Sequence, residues 1–433
     1  MRRSRLAGPM LATVFTVTYF GIAAGANASG YKETDLVVGG PDADAATKTL
    51  TDANGIKHTA NFFDVNLVNS WGLTETPTGS PFWVSDNGSG RSTLYNVNPD
   101  PSMPPQGQLT RVVSIPAPGD PLGHGGTPTG AAWNPTSAPG VPAGQQEFKV
   151  HGFLFTTTGQ NCSQTTAVAT FLFVTEDGTI VGWNSNLYPT LAMCLAATAA
   201  GQNNNAIIAV DNSAKGQGGG KGIGTGKGKG NGLGAVYKGL AIATTADGGT
   251  FLYATNFRAG RVEIYDGTFA LVDTFTDRKV SPGYAPFNVS PINGKLFVTF
   301  AVQDADRHDD VAGQGNGIVD VFDLSGNMLQ RFAEHGALNS PWGMALTPAS
   351  FGDLANTVWI GNFGNGQINA YDPDSGNFIG NVRDPHGQSI VIDGLWAIKF
   401  GSGLGNGGSS NTLYFTAGPN AEADGLFGSL SPN

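Results

Sequence analysis

Apolar and polar residues alternate with period two along most of the chain, which is typical of half-buried β-strands. The stretch from Lys295 to Asn327 shows the pattern twice, in KLFVTF and in GIVDVFD. This stretch is part of a longer repeated segment, which we call a phrase. Each phrase begins with a strand of small residues, in which Trp or Phe stands beside Gly or Asn, and continues with two aromatic strands joined by a tight turn. This phrase occurs six times after Asn61. The pattern therefore predicts an all-β chain built from one repeated unit.

The spacing of the repeats indicates a propeller. Successive phrases are 58, 109, 49, 55 and 52 residues apart, measured between Gly72, Gly130, Gly239, Asn288, Gly343 and Leu395. Four intervals lie near fifty residues, the period of four-stranded propeller blades, and we attribute the doubled interval to an insertion at residues 185–236. Pairs such as Asp177-Gly178 supply the positive φ that tight hairpins need.

The ring of blades also needs a closure, because an open sheet would leave an unpaired edge. The sixth phrase shows only three strands, and TDLVV at residues 34–38 can supply the fourth. We therefore predict a six-bladed β-propeller closed by N- and C-terminal strands that share one blade. The alternative is an aperiodic β-sandwich with coincidental aromatic residues.

Composition narrows the functional classes. Glycine is abundant, at 64 of 433 residues, and only 13% of residues are charged, which favours a turn-dense globular chain. A formal net charge of −10 argues against nucleic acid as a partner. The basic start MRRSR, an apolar run and Ala26-Asn27-Ala28 predict a signal peptide at residues 1–28. We expect one secreted, monomeric propeller domain at residues 29–433, with no second apolar segment of spanning length.

Two further segments carry predictions of their own. Cys162 and Cys194 would meet an oxidising compartment after export, so a disulfide between them is expected, with two separate thiols as the alternative. The Gly/Lys-rich stretch at residues 214–234 predicts a mobile loop, and it lacks the spacing of a phosphate-binding loop.

Oxygen-bearing side chains recur at one position of the repeat. Four of the six residues aligned in the second strands carry a side-chain oxygen, and equivalent positions of a propeller surround its axis. Such a ring can coordinate Ca²⁺, which takes six to eight oxygen ligands. The alternative is that each side chain hydrogen-bonds the turn that follows it. The aligned residues are Asp86, Glu176, Asn256, Phe300, Asn362 and Ala417.

The densest acidic segment interrupts the fourth phrase, where Phe300 replaces an oxygen-bearing residue. It contains four carboxylates and one histidine: Asp304, Asp306, His308, Asp309 and Asp310. The spacing does not fit an EF-hand. The segment is therefore a solvated loop, a cation site or a catalytic loop that supplies to the axis what its blade lacks.

From these patterns we assign candidate residues. The candidate metal ligands are Glu176, Asp304, Asp306 and Asp310. The candidate catalytic residues are Asp309, Asp86 and His308, the last as a general base. The candidate ligand-binding residues on the axial face are Asn256, Arg258, Asn288, Asn362 and Trp342. The other histidines show no zinc-type spacing.

Phrases spanning residues 61–430 resemble those of a family of exported bacterial β-propeller proteins without an assigned activity. They include NSWGL, FWVSDNGSG, NFRAGRVEIYDG, QDADRHDDVAGQGNGIVDVFD, IGNFGNGQINAYDP, DGLWAIKFG and NTLYFTAGPN. Many members of that family carry a C-terminal PEP-CTERM sorting tail, whereas this chain ends in SLSPN, so we expect release rather than surface retention. The resemblance supports the fold and implies no activity.

More broadly, the chain is similar to NHL-repeat and gluconolactonase-like propellers, whose axial cation activates lactone hydrolysis. That likeness implies ligand roles for Glu176, Asn256 and Asn362, with Asp86 or an insertion acid as base, while Phe300 and Ala417 depart from the pattern. Three functions follow as hypotheses. The first is binding of a polar small molecule or polysaccharide, such as a saccharide, lactone or similar ligand, with Ca²⁺ as a candidate cofactor. The second is a metal-dependent hydrolase or lyase that acts on lactones or saccharides, and the third is a structural or protein-interaction scaffold.

Overall fold

The structure, a computed structural model, describes residues 30–103, 107–109, 111–120, 125–156, 161–199, 201, 203–213 and 234–433. The predicted signal peptide lies outside these residues, and so does the predicted mobile loop at residues 214–234 except for Gly234. Both therefore stay predictions. Within the described ranges, no helix is long and apolar enough to cross a membrane.

The described chain opens with strands that do not belong to the first blade. They are β1 (Tyr31–Gly39), β2 (Thr49–Thr51), β3 (Lys57–Thr59) and β4 (Phe62–Phe63). In β1 the last four residues are buried, whereas the residues from Lys32 to Asp35 are exposed or only partly buried. The apolar half of β1 is thus suited to a central position in a sheet, and β2 and β3 form a hairpin beside it.

The first blade is regular and the second carries the insertions. The first contains β5 (Ser70–Thr74), β6 (Phe82–Asp86), β7 (Arg91–Asn96) and β8 (Gly107–Gln108), with β9 (Val113–Ser114) also paired to β7. The second runs in the order β10 (Pro128–Trp133), β13 (Phe171–Thr175), β14 (Thr179–Trp183) and β16 (Ile207–Asp211). A side sheet contains β11 (Lys149–Thr156), β12 (Asn161–Val168) and β15 (Leu187–Tyr188), and helix α1 (Leu191–Leu195) follows it.

This arrangement corrects one prediction and confirms another. The extra length of the second repeat is not confined to residues 185–236, because β11 and β12 lie between the first and second strands of the blade. Hydrophobic patterning could not assign this hairpin, since most residues of β12 are exposed or only partly buried. The predicted disulfide is present and joins Cys162 of β12 to Cys194 of α1.

The third to sixth blades follow the repeat closely. The third contains β17 (Tyr237–Thr244), β18 (Thr250–Asn256), β19 (Arg261–Tyr265) and β20 (Leu271–Phe275). The fourth contains β21 (Tyr284–Ile292), β22 (Lys295–Val302), β23 (Ile318–Phe322) and β24 (Met328–Glu334). The fifth contains β25 (Pro341–Leu346), β26 (Val358–Asn362), β27 (Ile368–Tyr371) and β28 (Phe378–Asn381). The sixth contains β29 (Leu395–Phe400), β30 (Leu413–Ala417) and, after the short helix α2 (Pro419–Glu422), β31 (Gly425–Pro432).

The predicted closure is confirmed. Strand β1 pairs antiparallel with β31, from Tyr31 opposite Pro432 to Gly39 opposite Gly425, so the two ends of the chain share the sixth blade. Each inner strand packs against the inner strand of the next blade, and β29 packs against β5. The described residues therefore form a closed β-propeller in which six blade sheets succeed one another around a common axis.

Close packing of neighbouring inner strands explains why the repeat has small residues such as glycine in these strands. A Cβ atom added to Gly72 would lie 2.4 Å from the carbonyl oxygen of Thr129 in the next inner strand. One added to Gly343 would lie 2.5 Å from the carbonyl oxygen of Trp396. The inner strands approach so closely near the axis that a side chain does not fit between them.

Candidate functional site

Every inner strand contains a register shift at the same place. In each blade one extra residue of the inner strand stands between two pairings with the second strand, which is the pattern of a β-bulge. The bulges carry a buried residue from each blade to the centre of the ring. These residues are Trp71, Thr129, Lys238, Phe287, Trp342 and Trp396.

The aromatic members form a layer across the axis, which we call the aromatic layer. Trp71 stacks on Trp396 with ring centroids 3.4 Å apart, and Trp342 meets both rings edge-on at 5.9 Å. Phe363 stacks on Trp396 at 3.9 Å, and Phe287 meets Trp71 edge-on. Because these rings come from different blades and are buried among one another, the axis is filled by side chains rather than lined as an open channel.

Lys238 is the cation of this ring and is almost completely buried, with 1% of its side chain exposed. Its ammonium lies 5.0 Å from the centre of the Trp71 ring. It donates hydrogen bonds to Glu176 Oε1 and to Asp309 Oδ1, the latter at 3.1 Å. Burial opposes the charge, but the carboxylates of Glu176 and then Asp309 favour it, and the net effect raises the pKa of Lys238. A charged lysine is thus held at the centre of the propeller.

The two carboxylates connect this buried charge to solvent. Glu176 follows β13 and is 11% exposed, and its second oxygen accepts a hydrogen bond of 2.8 Å from Asn87. Asp309, from the acidic insertion, is 64% exposed and accepts a 2.9 Å hydrogen bond from His308 Nδ1. That hydrogen bond, together with Lys238, holds the pKa of Asp309 well below its usual range, and it raises the pKa of His308.

Glu422 adds a further carboxylate from the sixth blade. It accepts a 2.6 Å hydrogen bond from Asn69, whose side-chain oxygen accepts a 3.0 Å bond from the Trp396 indole. Burial raises the pKa of Glu422 to about 7, with further contributions from nearby Glu176 and Asp309. Asn420, Ala421 and Glu422 all have positive φ, between 55° and 70°. Such residues each cost about 1–3 kcal/mol and are found mainly at functional sites.

We therefore expect Glu422→Gln to stabilise the protein at pH 8 by about 2–3 kcal/mol and to have little effect at pH 4. The folded pKa of about 7 is raised from the ordinary value of 4.5, so the wild type loses stability as the pH rises between these values. Glutamine does not titrate and can still accept the hydrogen bond of Asn69. Urea denaturation at both pH values measures the effect, with the exposed Asp374→Asn as control. An equal gain at both pH values would contradict the assignment.

Arg258 borders the same cluster. Its Nη1 donates to the carbonyl oxygen of Gly234 at 3.0 Å, whereas its Nε is buried without a hydrogen-bond partner. It lies within the electrostatic field of Asp304, Asp306, Asp309 and Glu176. We call the end of the axis where the inner strands begin the charged mouth; it contains Glu176, Lys238, Arg258, His308, Asp309 and Glu422.

The structure divides the acidic insertion. Asp304 closes its own loop, because its Oδ1 accepts a hydrogen bond from the His308 backbone at 2.8 Å. Asp306 is exposed, and Asp310 turns towards Ser340 of the fifth blade, where burial raises its pKa. Among the described residues, the ligand-type atoms that lie within 4.8 Å of one another here belong to Glu176, His308 and Asp309. The insertion thus reaches the axis through one of its carboxylates, Asp309.

The predicted oxygen ring does not converge. Asp86 is fully buried inside its blade, where Ser70 and Thr93 donate to its carboxylate, and burial raises its pKa well above the usual range. Asn256 Oδ1 accepts from the Ala259 backbone in the following turn. Asn362 Oδ1 accepts a hydrogen bond from the Asn339 backbone, and the Asn362 amide donates one to the Ala337 carbonyl. These side chains therefore stabilise turns and neighbouring loops.

Two positions of the sequence alignment were wrong. The residue of the second blade equivalent to Asp86 is Thr175, which pairs with Pro128, so Glu176 is displaced by one residue. The inner-strand residue equivalent to Gly343 is Ala397 rather than Leu395. A displacement by one residue reverses the direction of a side chain on a strand. This explains why Glu176 reaches the axis although Asp86, Asn256 and Asn362 do not.

Two of the predicted ligand-binding residues lie on the other side of the aromatic layer. Asn288 and Trp342 line a cavity of 730 Å³ formed by the later residues of the inner strands. The Asn288 amide donates to the Trp342 carbonyl at 2.7 Å, so it connects inner strands. The cavity also contains Glu75, whose pKa is raised to about 7 by burial, and Lys399 with its ammonium 3.7 Å away.

The sequence prediction missed Lys238, and it did not include Glu422 among the site residues, although Asn420, Glu422 and Asp424 form a smaller group like the acidic insertion. Lys238 could have been found by aligning the residue before each inner-strand glycine, because a single lysine then stands among aromatic residues and a threonine. Glu422 lies between the second and third strands of the sixth blade, as Asp309 does in the fourth blade and Glu176 in the second. Its proximity to Lys238 depends on closure of the ring, which no local pattern in the sequence reports.

Comparison with known proteins gives distant similarities. No family model matches the chain, so the resemblance noted from the sequence stays a prediction. Uncharacterized protein R648 of Acanthamoeba polyphaga mimivirus is 30% identical over 202 residues, 45% of this chain and 48% of that protein. Uncharacterized protein R640 of the same virus is 28% identical over 243 residues, 54% of this chain and 39% of that protein. The chain thus spans about half or less of these relatives.

Solved propellers also align with the chain. A structure described as a putative gluconolactonase has a TM-score of 0.42 and 12% identity, covering 85% of this chain and 89% of that one. The soluble aldose sugar dehydrogenase of Escherichia coli has a TM-score of 0.45 and 10% identity, covering 85% and 97%. Similarity at this level carries no information about what the chain binds, because propellers host unrelated functions.

Proposed function

We propose that the charged mouth binds a small, neutral, polyhydroxylated ligand such as a saccharide or a lactone. The observation that carries the proposal is the lysine buried at the axis and connected to solvent by two carboxylates. A buried charge is expensive and is seldom kept where packing alone would serve. Clusters of titratable residues with shifted pKa values are characteristic of functional sites.

The donors and acceptors of the mouth suit hydroxyl groups. Arg258, whose side chain is only partly buried, supplies guanidinium donors, while Glu176 and Asp309 are acceptors. Glu422, with a pKa of about 7, can act in either sense at neutral pH. A hydroxyl group both donates and accepts, so a polyhydroxylated ligand can satisfy all of these groups at once. The excess of carboxylates disfavours an anionic ligand.

Calcium does not enter this proposal. The oxygen atoms of Glu176 and Asp309 that could hold a cation already accept hydrogen bonds from the Lys238 ammonium. A Ca²⁺ ion between them would face a like charge and would have far fewer than six oxygen ligands. The residues present therefore do not fit an axial calcium ion, and we expect a calcium chelator to leave ligand affinity unchanged.

Calorimetric titration with maltotriose and glucono-1,5-lactone, and with glucuronate as the anionic probe, tests the proposal. We expect the neutral probes to bind and glucuronate not to bind. Asp309→Asn should weaken binding at least about tenfold, or ~1.4 kcal/mol. The matched control is Asp306→Asn, which alters an exposed carboxylate of the same loop and should change nothing. Failure of both neutral probes to bind at millimolar concentration, or equal affinity in the two variants, would reject the proposal.

One observation favours hydrolysis as a second candidate function. The 2.9 Å bond to Asp309 fixes His308 by its Nδ1, and no described residue hydrogen-bonds its Nε2, while 38% of the side chain is exposed. An imidazole oriented in this way by a carboxylate can act as a general base towards water. Lactone hydrolysis, measured by the release of protons, should then be lost in His308→Gln, while lactone binding is retained. Wild-type protein that binds the lactone without turnover would leave binding as the function.

A further inference from the structure

A second polar cluster lies between the closing strand β1 and the β2–β3 hairpin. Glu33 and Asp35 are two residues apart on β1, so their side chains leave the same face. His58 of β3 faces them and is 3% exposed. Its Nδ1 lies 3.1 Å from Asp35 Oδ1 and 3.8 Å from Glu33 Oε1. Asp52, in the hairpin, lies on the other edge of the imidazole, with its Oδ2 3.6 Å from Nε2.

The cluster lacks the partners that buried polar groups require. Glu33 Oε1, Asp52 Oδ2 and His58 Nε2 are all buried without a hydrogen bond. In the described part of the chain, no lysine or arginine lies within ion-pair distance of the three carboxylates. Even a protonated imidazole would leave two negative charges uncompensated. Buried groups in such numbers are rare without an ion or water to satisfy them.

We propose that Glu33, Asp35 and His58 bind one divalent transition-metal ion, with Zn²⁺ as the representative. The ligand atoms of these three side chains lie within 4.8 Å of one another. In a tetrahedral site with bonds of about 2.1 Å, ligand atoms are about 3.4 Å apart, between the two distances found here. An imidazole nitrogen with two carboxylates suits zinc and its neighbours, whereas Ca²⁺ selects oxygen ligands alone.

The surroundings of the three ligands support this assignment. With Nδ1 on the metal, Nε2 carries the remaining proton and faces Asp52, which is the carboxylate–histidine–metal arrangement of many zinc sites. Asp52 is itself fixed by the Asn54 and Ile56 backbones at 3.0 and 2.7 Å. The second oxygen of Asp35 accepts from the Thr59 backbone at 3.0 Å, and the ion would replace the hydrogen bond between Asp35 Oδ1 and His58 Nδ1. Asp52 is thus a positioning residue.

The site joins the hairpin to the strand that closes the ring, so its occupancy should stabilise closure. The chelator-treated mature chain should bind one Zn²⁺ by calorimetry, melt at least ~5 °C higher with Zn²⁺, and show no such shift with Ca²⁺. Glu33→Gln should lose the binding and the shift. This variant should still fold, because glutamine has nearly the same shape and volume as Glu33 and removes one of the buried carboxylates that lack a cationic partner.

His308→Gln is the matched control, because His308 belongs to the other group of possible metal ligands and should not affect zinc binding here. Asp52→Asn should weaken the affinity without abolishing it. Co²⁺ should give visible absorption in the wild type and in His308→Gln but not in Glu33→Gln. Absence of zinc binding, or binding that survives Glu33→Gln and is lost in His308→Gln, would overturn the proposal. No sugar or lactone enters these measurements, so their outcome is separate from that of the proposed function.

Discussion

A chain that lacks residues 29–40 is expected to lose cooperative folding or to melt at least ~10 °C below the chain of residues 29–433. The deleted strand β1 pairs with all eight residues of β31, and without it the sixth blade presents an unpaired edge. Tyr31 also reaches the fifth blade, where its hydroxyl donates to the Phe351 carbonyl at 3.0 Å. Scanning calorimetry of the two chains measures the loss, and an unchanged melting temperature would show that closure is dispensable.

Two additional measurements distinguish strand pairing from a general effect of truncation. Val38→Asp places a charge at a fully buried position of β1 and should lower the melting temperature by at least ~5 °C, whereas Lys32→Asp on the exposed part of the same strand should not. A synthetic peptide of residues 29–40 should restore much of the lost stability by adding back as a strand. Failure of the peptide to bind the truncated chain would count against the pairing.

Replacing Lys238 by methionine is expected to lower the free energy of unfolding by about 3–5 kcal/mol at pH 7. Methionine fills a similar volume, but it leaves Glu176, which is 11% exposed, without its cation. The double variant Lys238→Met/Glu176→Gln removes that uncompensated charge and should recover part of the loss. Urea denaturation of the wild type, both single variants and the double variant gives the coupling energy. A stable Lys238→Met would show that the ion pair is not needed.

The pH dependence of these variants provides an independent check. The depressed pKa of Asp309 contributes stability above the ordinary carboxylate pKa of about 4, and this contribution is lost as the pH falls. Lys238→Met removes one of the two partners that depress this pKa. Its stability should therefore decline less than that of the wild type as the pH falls from about 4 to 2. A parallel decline of both proteins would contradict the role assigned to Lys238.

The repeat and its closure could be predicted because their signals are local. Period-two strands and turn residues recur within each phrase. The last phrase lacks a fourth strand, and residues 34–38 have the pattern of the strand that it needs. The side sheet escaped prediction because its strand β12 is mostly solvated and has no clear alternation. Tertiary contacts rather than propensity hold it in place, including the disulfide between Cys162 and Cys194.

The site was predicted less completely for geometric reasons. Glu176, His308 and Asp309 were identified as acidic or titratable residues, and the structure brings them together. Lys238, which joins them, lies in the first strand of another blade and resembles a surface residue in the sequence. A one-residue difference in register separates Glu176 from Asp86, Asn256 and Asn362. Neither feature can be recognised until the bulges and the order of the blades are known.

The pairing of β1 with β31 also determines when the protein can finish folding. Tyr31 meets Pro432, so β1 leaves the ribosome about 400 residues before its partner β31 and must wait for it. Contacts between such distant residues form slowly, because nearly the whole chain is the loop that they close. Until β1 and β31 pair, the other blades can assemble in sequence, while each of these two strands keeps an unpaired edge that can pair with a strand of another chain. The pairing of β1 with β31 is therefore the folding step with which aggregation competes most directly.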